Sequence, residues 1–201
     1  MDRTAEIRWF FDGAVPEAAA DWFGALGPPP EPEAPRTDHY LLPTGPALNV
    51  KLREGHAEAK RRDGDGRTVR LHGGAEGVLE HWRKWSFPLA EAATVPDDAC
   101  WLAVPKSRRM RRYRLDADGT LQEITGTDAA PERVCEVEVS RIGVAGRSFW
   151  SLCFEASGPD PAATLRRAAT HVFAQAPPLR LPADASMGYP AFLAKVWGSK
   201  A

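Results

Sequence analysis

Apolar and charged side chains alternate along much of the chain, which is the period of a β-strand. In residues 135–139, Glu136 and Glu138 share one face while apolar side chains take the other. The same alternation predicts strands at residues 6–11, 49–53, 58–62, 67–72, 100–108 and 149–156, and a hairpin with an Asp-Ala-Asp-Gly turn at residues 113–125. The chain is therefore predicted to be rich in β-structure.

Four segments instead carry apolar residues at helical spacing. They are residues 16–26, 78–85, 161–175 and 189–197. Asp160 precedes the third as an N-cap, and Gly27 follows the first as a stop signal. The Pro-rich residues 27–35 are predicted to form a loop within one domain, because the part before them is too small to fold alone.

The charged faces of the predicted strands carry Lys and Arg on some strands and Glu on others, with few neutral polar residues. For any single strand, the simplest interpretation is a sheet with one buried and one solvated face. The amphipathic helices, however, need the apolar faces to cover. The charged faces must then turn inward, which predicts a closed or nearly closed β-barrel with helices outside and a charged lumen.

Composition limits the class of protein. The 201 residues fit a single domain spanning 1–201, and a net charge of −1 provides no overall attraction to nucleic acid. Three cysteines without a CxxC pair argue against a zinc site, and their odd number indicates reduced thiols. We expect a cytoplasmic protein, because neither a signal-peptide pattern nor an apolar run of ~20 residues is present.

Charges inside a barrel are costly unless they are paired or bound to a ligand. Guanidinium and ammonium groups bind phosphate oxygens through charge-assisted hydrogen bonds. Carboxylates in the same cavity would repel phosphate unless a divalent cation such as Mg²⁺ or Mn²⁺ lies between them. The pattern therefore predicts a site for a polyphosphate anion and a divalent metal, suited to phosphoryl transfer.

Short charged motifs follow one another in order along nearly the whole chain. They are EIRWF at 6–10, DHY at 38–40, KLR at 51–53, EAK at 58–60, KSR at 106–108, CEVE at 135–138 and CFE at 153–155. In this order they resemble the CYTH domain, also called the triphosphate tunnel metalloenzyme family. That family includes thiamine-triphosphatase, inorganic triphosphatases and class IV adenylyl cyclases.

The resemblance implies an α+β fold, a closed tunnel of eight antiparallel strands with helices packed outside. It implies a triphosphate or polyphosphate ligand, and Mg²⁺ or Mn²⁺ as cofactor for hydrolysis. The residues carried over as ligand-binding are Lys51, Arg53, Lys60, Lys106 and Arg108, and Arg8 is added to this predicted set although it departs from the family pattern. Those carried over as metal ligands are Glu6, Glu136, Glu138 and Glu155, of which Glu138 and Glu155 are also the catalytic candidates.

Three positions depart from the family pattern. Arg8 replaces the second glutamate of the opening motif, Phe10 replaces its lysine, and Cys153 replaces the first acid of the closing pair. In the family those carboxylates hold the catalytic metal ions, whereas the phosphate-binding residues are better retained here. We therefore expect anion binding to persist and metal-dependent hydrolysis to be weakened or lost.

Two alternatives remain open at this stage. The basic run at residues 108–114 could make the protein a non-catalytic module that binds RNA or an acidic partner. Its alternation divides it between two faces, and Tyr113 is its one aromatic residue, which argues against nucleic acid. The barrel could also be purely structural, with its inward charges joined in internal salt bridges.

Overall fold

The computed structural model describes residues 2–28, 33–90, 100–125 and 132–198. The strands are β1 (Asp2–Asp12), β2 (Arg36–Leu41), β3 (Leu48–Arg53), β4 (His56–Arg62), β5 (Arg67–Arg70), β6 (Glu76–Pro88), β7 (Trp101–Leu115), β8 (Leu121–Ile124), β9 (Val134–Val144) and β10 (Arg147–Ser157). The helices are α1 (Glu17–Ala25), α2 (Pro161–Val172) and α3 (Tyr189–Gly198). Of the predicted loop at residues 27–35, residues 29–32 lie outside the described ranges.

Eight of the described strands close into an antiparallel barrel. Their order is β1-β10-β9-β7-β2-β3-β4-β6, and β1 completes the ring by pairing with β6. Strand β5 pairs with β6, and β8 forms the predicted hairpin with the end of β7. The predicted fold class, an α+β eight-stranded closed barrel with external helices, is confirmed.

The pairing register decides which side chains enter the lumen. Arg8 on β1 is opposite Cys153 on β10, which in turn is opposite Glu138 on β9. Because side chains alternate along each strand, the odd-numbered Ile7 and Trp9 then point outward. Both are fully buried, so β1 is covered on both faces.

Helices α1 and α2 bury the outer face of one side of the barrel. Helix α2 contacts β1, β9 and β10, and its N-terminus is capped as predicted by Asp160, which accepts a hydrogen bond from the Ala163 N–H at 3.1 Å. Phe173, just after α2, packs against Trp9 and Phe154 with ring centroids 6.5 and 5.2 Å away. None of the described helices has the length and apolarity needed to span a membrane.

Helix α3 packs over one end of the barrel. Its Phe192 stacks on Phe10 with ring centroids 3.8 Å apart, and its Tyr189 stacks on Tyr40 at 5.2 Å. Phe10 and Tyr40 share the inward faces of their strands with charged residues further along. The lumen therefore changes from an apolar end under α3 to a charged region beyond it.

The prediction of a helix at residues 78–85 is wrong, because this segment lies within β6. Its apolar residues coincide with helical spacing, but β6 forms ladders with three strands, β1, β4 and β5. The pairing with β1 joins residues that are distant in the sequence, so local periodicity carries no trace of it. Trp82 and Lys84 share one face of β6 and line the lumen.

Candidate functional site

The charged region of the lumen is a cavity of about 270 Å³. Eight Arg or Lys side chains line it, against five Glu. The basic residues are Arg8, Arg36, Lys51, Arg53, Lys60, Lys84, Lys106 and Arg108, and the acidic residues are Glu6, Glu58, Glu136, Glu138 and Glu155. Among the side chains that line the cavity, basic residues therefore outnumber acidic ones.

Every site residue predicted from the sequence lines this one cavity. The six predicted ligand-binding residues, Arg8, Lys51, Arg53, Lys60, Lys106 and Arg108, are all present. So are the four predicted metal ligands, Glu6, Glu136, Glu138 and Glu155, which include both catalytic candidates. The structure brings these side chains together, and their roles remain predictions.

One side of the cavity, here called the acidic wall, consists of Glu6 on β1, Glu136 and Glu138 on β9, and Glu155 on β10. Glu6 is opposite Glu155, which is opposite Glu136. On its other side Glu6 is opposite Glu80 of β6, so four glutamates follow one row around the barrel. Such a row of like charges needs cations between its members.

Arg8 is the first of these cations. Its Nε donates to Glu6 Oε1 at 3.0 Å, and its Nη1 donates to Glu138 Oε1 at 2.9 Å. Nη1 also lies 3.2 Å from Ser151 Oγ, and the guanidinium stacks over the Tyr189 ring at 4.9 Å. Only 6% of Arg8 is exposed, so this contact network is fixed inside the barrel.

Lys60 and Arg108 complete the neutralisation of the acidic wall. Lys60 Nζ donates to Glu155 Oε1 at 2.6 Å and lies 3.4 Å from Glu6 Oε2. Arg108 Nη1 donates to Glu138 Oε2 at 3.0 Å. Both oxygens of Glu138 and both of Glu6 therefore face a cationic nitrogen.

These contacts hold two members of the acidic wall, Glu138 and Glu155, ionised. Burial alone would raise the pKa of Glu138, but Arg8 and Arg108 hold it well below its usual range. Burial likewise opposes ionisation of Glu155, and Lys60 outweighs it, giving a pKa of about 2. Glu136 behaves differently, since burial and the nearby Glu155 raise its pKa.

The opposite side, here called the basic wall, comprises Arg36, Lys51, Arg53, Lys106 and Arg108 on β2, β3 and β7. Asp38 anchors it: its Oδ2 accepts from Lys106 at 2.9 Å and from Lys51 at 3.4 Å, and its Oδ1 accepts from Arg36 Nε at 3.1 Å.

Glu58 is the second anchor of the basic wall. It binds Arg53 Nη2 at 2.6 Å and Lys51 Nζ at 3.1 Å. It also lies 3.4 Å from Lys84 Nζ. Asp38 and Glu58 thus contact five cationic side chains between them, and Arg108 pairs instead with Glu33 and Glu138.

Lys106 is crowded by other cations and by two aromatic rings. Its Nζ donates a hydrogen bond to Tyr40 Oη at 2.7 Å and lies 3.9 Å from the centroid of the Tyr189 ring. Burial and the neighbouring charge of Lys51 lower its pKa to about 7, although Asp38 opposes the shift. The burial of Lys106 therefore outweighs the attraction of Asp38.

The carboxylates of the acidic wall do not fit a divalent ion as they stand. Each of the four has an Arg or Lys nitrogen within 3.6 Å, the longest being Arg112 Nε to Glu136 Oε1. Across the residues that the structure describes, no group of three or more His, Cys, Asp or Glu side chains is arranged to hold a metal ion. The predicted Mg²⁺ or Mn²⁺ stays a prediction that this donor set does not support.

Cys153 also faces the lumen, between Arg8 and Glu138. It is 1% exposed, and burial raises the pKa of its thiol well above the usual value. A thiol held protonated in this way is a poor nucleophile. Its small volume instead lets Arg8 reach across β10 to Glu138.

The basic run at residues 108–114 is divided between the two faces of β7. Arg108 and Arg114 share the inward face, where Arg108 lines the cavity and Arg114 pairs with Asp116 at 2.7 Å, whereas Arg109 and Arg111 lie on the outer face. Arg111 is fully buried beneath α1 and pairs with Glu123 at 2.6 Å. It also donates to four carbonyl groups at the end of α1 and beyond, those of Phe23, Gly24, Gly27 and Pro28. The run does not form a continuous basic surface.

Several lumen residues were not predicted as site residues. They are Arg36, Tyr40, Asn49, Glu58, Trp82, Lys84 and Tyr189. The alternation of side chains along a strand could have identified two of them. Tyr40 lies on the same strand face as Asp38, and Glu58 on the same face as Lys60. The wrong helix at residues 78–85 concealed Trp82 and Lys84.

No protein-family model matches this sequence, and no curated protein matches it either. The closed barrel establishes the fold alone. The likeness to the CYTH domain therefore stays a prediction from motifs, and function is argued from the lumen.

Proposed function

We propose that this protein binds a phosphate-rich anion, a triphosphate or a short polyphosphate, in the barrel lumen. The observation that carries the proposal is the convergence of eight Arg and Lys side chains, against five Glu, on one cavity. Guanidinium and ammonium groups that converge on one cavity favour an anionic ligand, which they bind through charge-assisted hydrogen bonds.

The basic wall supports a phosphate-rich ligand in particular. Arg36, Arg53 and Arg108 offer planar guanidinium groups suited to phosphate oxygens, and Lys51 and Lys106 add point charges between them. At ~30 Å³ per water, a cavity of about 270 Å³ holds roughly nine waters, which is room for a small linear anion.

The proposal is for binding, with the phosphohydrolase activity implied by the motifs weakened or lost. The carboxylates that would hold a catalytic metal, Glu6, Glu138 and Glu155, are bound by Arg8, Lys60 and Arg108. Phosphoryl transfer depends on charge neutralisation and on the positioning of an attacking water. Glutamates that are engaged in salt bridges are not available to position an attacking water.

Titration calorimetry with sodium tripolyphosphate in EDTA tests the proposal, with sulfate as the comparison anion. We expect tripolyphosphate to bind and sulfate to bind far more weakly. The double variant Lys51→Met/Arg53→Gln should bind at least ~tenfold more weakly, a change of ~1.4 kcal/mol. The matched control is Arg109→Gln, which removes an exposed arginine from the outer face of β7 and should bind like the native protein.

Two results would count against the proposal. If no polyphosphate binds to the native protein, the lumen is a structural salt-bridge network. If binding is lost in Arg109→Gln but not in the lumen variant, and falls steeply with salt, the outer surface of β7 is the binding site. The second result would support the RNA or acidic-partner alternative, which the burial of Arg111 disfavours.

A further inference from the structure

We propose that the lumen takes the metal-free form of the polyphosphate anion and discriminates against its Mg²⁺ chelate, with Arg8 and Lys60 as the specificity-determining residues. This inference rests on the proposed function. It concerns the chemical species that is bound, because a polyphosphate in the presence of Mg²⁺ exists in both forms.

The first support is the position of the Arg8 guanidinium. It lies between Glu6 and Glu138, with hydrogen bonds of 3.0 and 2.9 Å to one oxygen of each. A Mg²⁺ ion needs carboxylate oxygens at ~2.0–2.1 Å. An ion shared by Glu6 and Glu138 would have to occupy the space that the guanidinium fills.

The second support is the position of Lys60. It lies between Glu6 and Glu155, as Arg8 lies between Glu6 and Glu138. Its Nζ lies 3.4 Å from an oxygen of Glu6 and 2.6 Å from an oxygen of Glu155. Ser140 Oγ donates to the Glu138 oxygen that Arg8 also binds, at 2.7 Å. The acidic wall is thus bound through fixed side chains, and a metal would have to displace them.

The third support is the charge of the side chains that line the cavity. Eight of them are basic and five acidic, and Lys106 and Lys51 share one carboxylate oxygen of Asp38, with Lys51 also paired to Glu58. A free polyphosphate brings negative charge to this basic wall. A Mg²⁺ chelate of the same anion brings two positive charges with it, which cancels part of the attraction and adds repulsion from Arg8.

The two ligand species therefore differ in how well they complement the lumen. The free anion can contact the basic wall directly, while Arg8 and Lys60 screen it from the acidic wall. The chelate would place its metal between two sets of cations. Discrimination between the two species then comes from repulsion of the metal by Arg8 and Lys60 as much as from attraction of the anion to the basic wall.

Titration of the native protein with sodium tripolyphosphate, once in EDTA and once in saturating Mg²⁺, tests this inference. We expect the apparent affinity to fall at least ~tenfold in Mg²⁺, following the fraction of ligand left unchelated. Equal or tighter binding in Mg²⁺ would overturn the inference while leaving the proposed function intact. Absence of binding in both titrations would overturn the proposed function itself.

A variant gives a second, phosphate-free measurement. Binding of Mn²⁺ alone, followed by electron paramagnetic resonance, should be absent in the native protein and appear in Arg8→Gln, which leaves Glu6 and Glu138 without their shared cation. The matched control, Arg147→Gln, removes an arginine from an exposed pair with Asp12 and should bind no Mn²⁺. Mn²⁺ binding by the native protein would contradict the inference. If Arg8→Gln does not fold, the two native titrations still decide.

Discussion

Arg8 and Glu138 form an ion pair across the inside of the barrel, with Nη1 and Oε1 2.9 Å apart, although they lie on strands that are not neighbours. Strand β10 runs between them, and the residue it places there is Cys153. A larger side chain at this position would occupy the path of the guanidinium. The pair therefore depends on a small residue that takes no other part in it.

Removing Arg8 should strongly destabilise the fold, because Glu138 and Glu6 would remain buried without their common partner. We expect Arg8→Met to lower the free energy of unfolding by about 3–5 kcal/mol, measured by urea denaturation. The exposed pair of Arg147 and Asp12 supplies the control, and Arg147→Met should cost about 0–1 kcal/mol. A double variant Arg8→Met/Glu138→Gln should recover part of the loss. Equal effects of Arg8→Met and Arg147→Met would contradict the buried role of Arg8.

Acid should unfold the protein through the same carboxylates. The folded-state pKa of Glu155 is about 2, below its ordinary value of 4.5, so its ionisation stabilises the fold above pH 4.5. That contribution is lost as the pH falls from 4.5 towards 2, and Glu58, with a pKa of about 2, follows the same direction. Urea midpoints measured across this range should decline steeply. Glu155→Gln should decline less, whereas Asp65→Asn, at a fully exposed carboxylate, should decline as the native protein does.

Anion binding should be coupled to protonation of Lys106. Its pKa of about 7 lies below the ordinary 10.5, so most of it is neutral at about pH 8. A bound anion favours the ammonium form, raises this pKa, and causes proton uptake. Uptake should shrink below pH 7, where Lys106 is already protonated in the free protein.

Calorimetry in two buffers of different ionisation enthalpy measures this uptake at about pH 8. The ligand itself exchanges protons, so the informative quantity is the difference between the native protein and Lys106→Met. If that difference is zero while both proteins bind tripolyphosphate, Lys106 does not sense the anion.

Arg111 should matter for stability and not for ligand binding. It is fully buried, pairs with Glu123 and donates to carbonyl groups that follow α1. Arg111→Lys should cost about 2–4 kcal/mol, because a single ammonium cannot replace the planar set of donors. The neighbouring Arg109→Gln should cost less than about 0.5 kcal/mol. Weaker tripolyphosphate binding by folded Arg111→Lys would contradict this separation of roles.

The lumen could be predicted from the sequence wherever strand alternation placed charge on one face. Glu138, Lys60 and Arg8 all lie on segments that this alternation predicts as strands, and closing the barrel turned their charged faces inward. The motif order supplied the same residues independently. Agreement between local pattern and global fold is what makes such positions predictable.

Other parts of the site could not be predicted because they depend on long-range pairing. Lys84 was missed because β6 has apolar residues at helical spacing, and only its three partner strands make it a strand. The role of Asp38 as an anchor arises where β2 meets β3 and β7, and that of Glu58 where β4 meets β3 and β6. The stacking of Tyr189 over Arg8 likewise requires α3 to lie over the barrel end.

The double pairing of β1 has a consequence for synthesis of the protein. This strand is translated before every other barrel strand. Thr4, however, cannot pair with Ser157 until β10 has been synthesised. Until then one edge of β1 has no hydrogen-bonding partner from β10, and Trp9 lacks the β10 residues that cover it. The lumen closes only when β10 has left the ribosome, so on the proposed function a nascent chain cannot hold the anion. Ligand retention would thus distinguish finished molecules from those still being made.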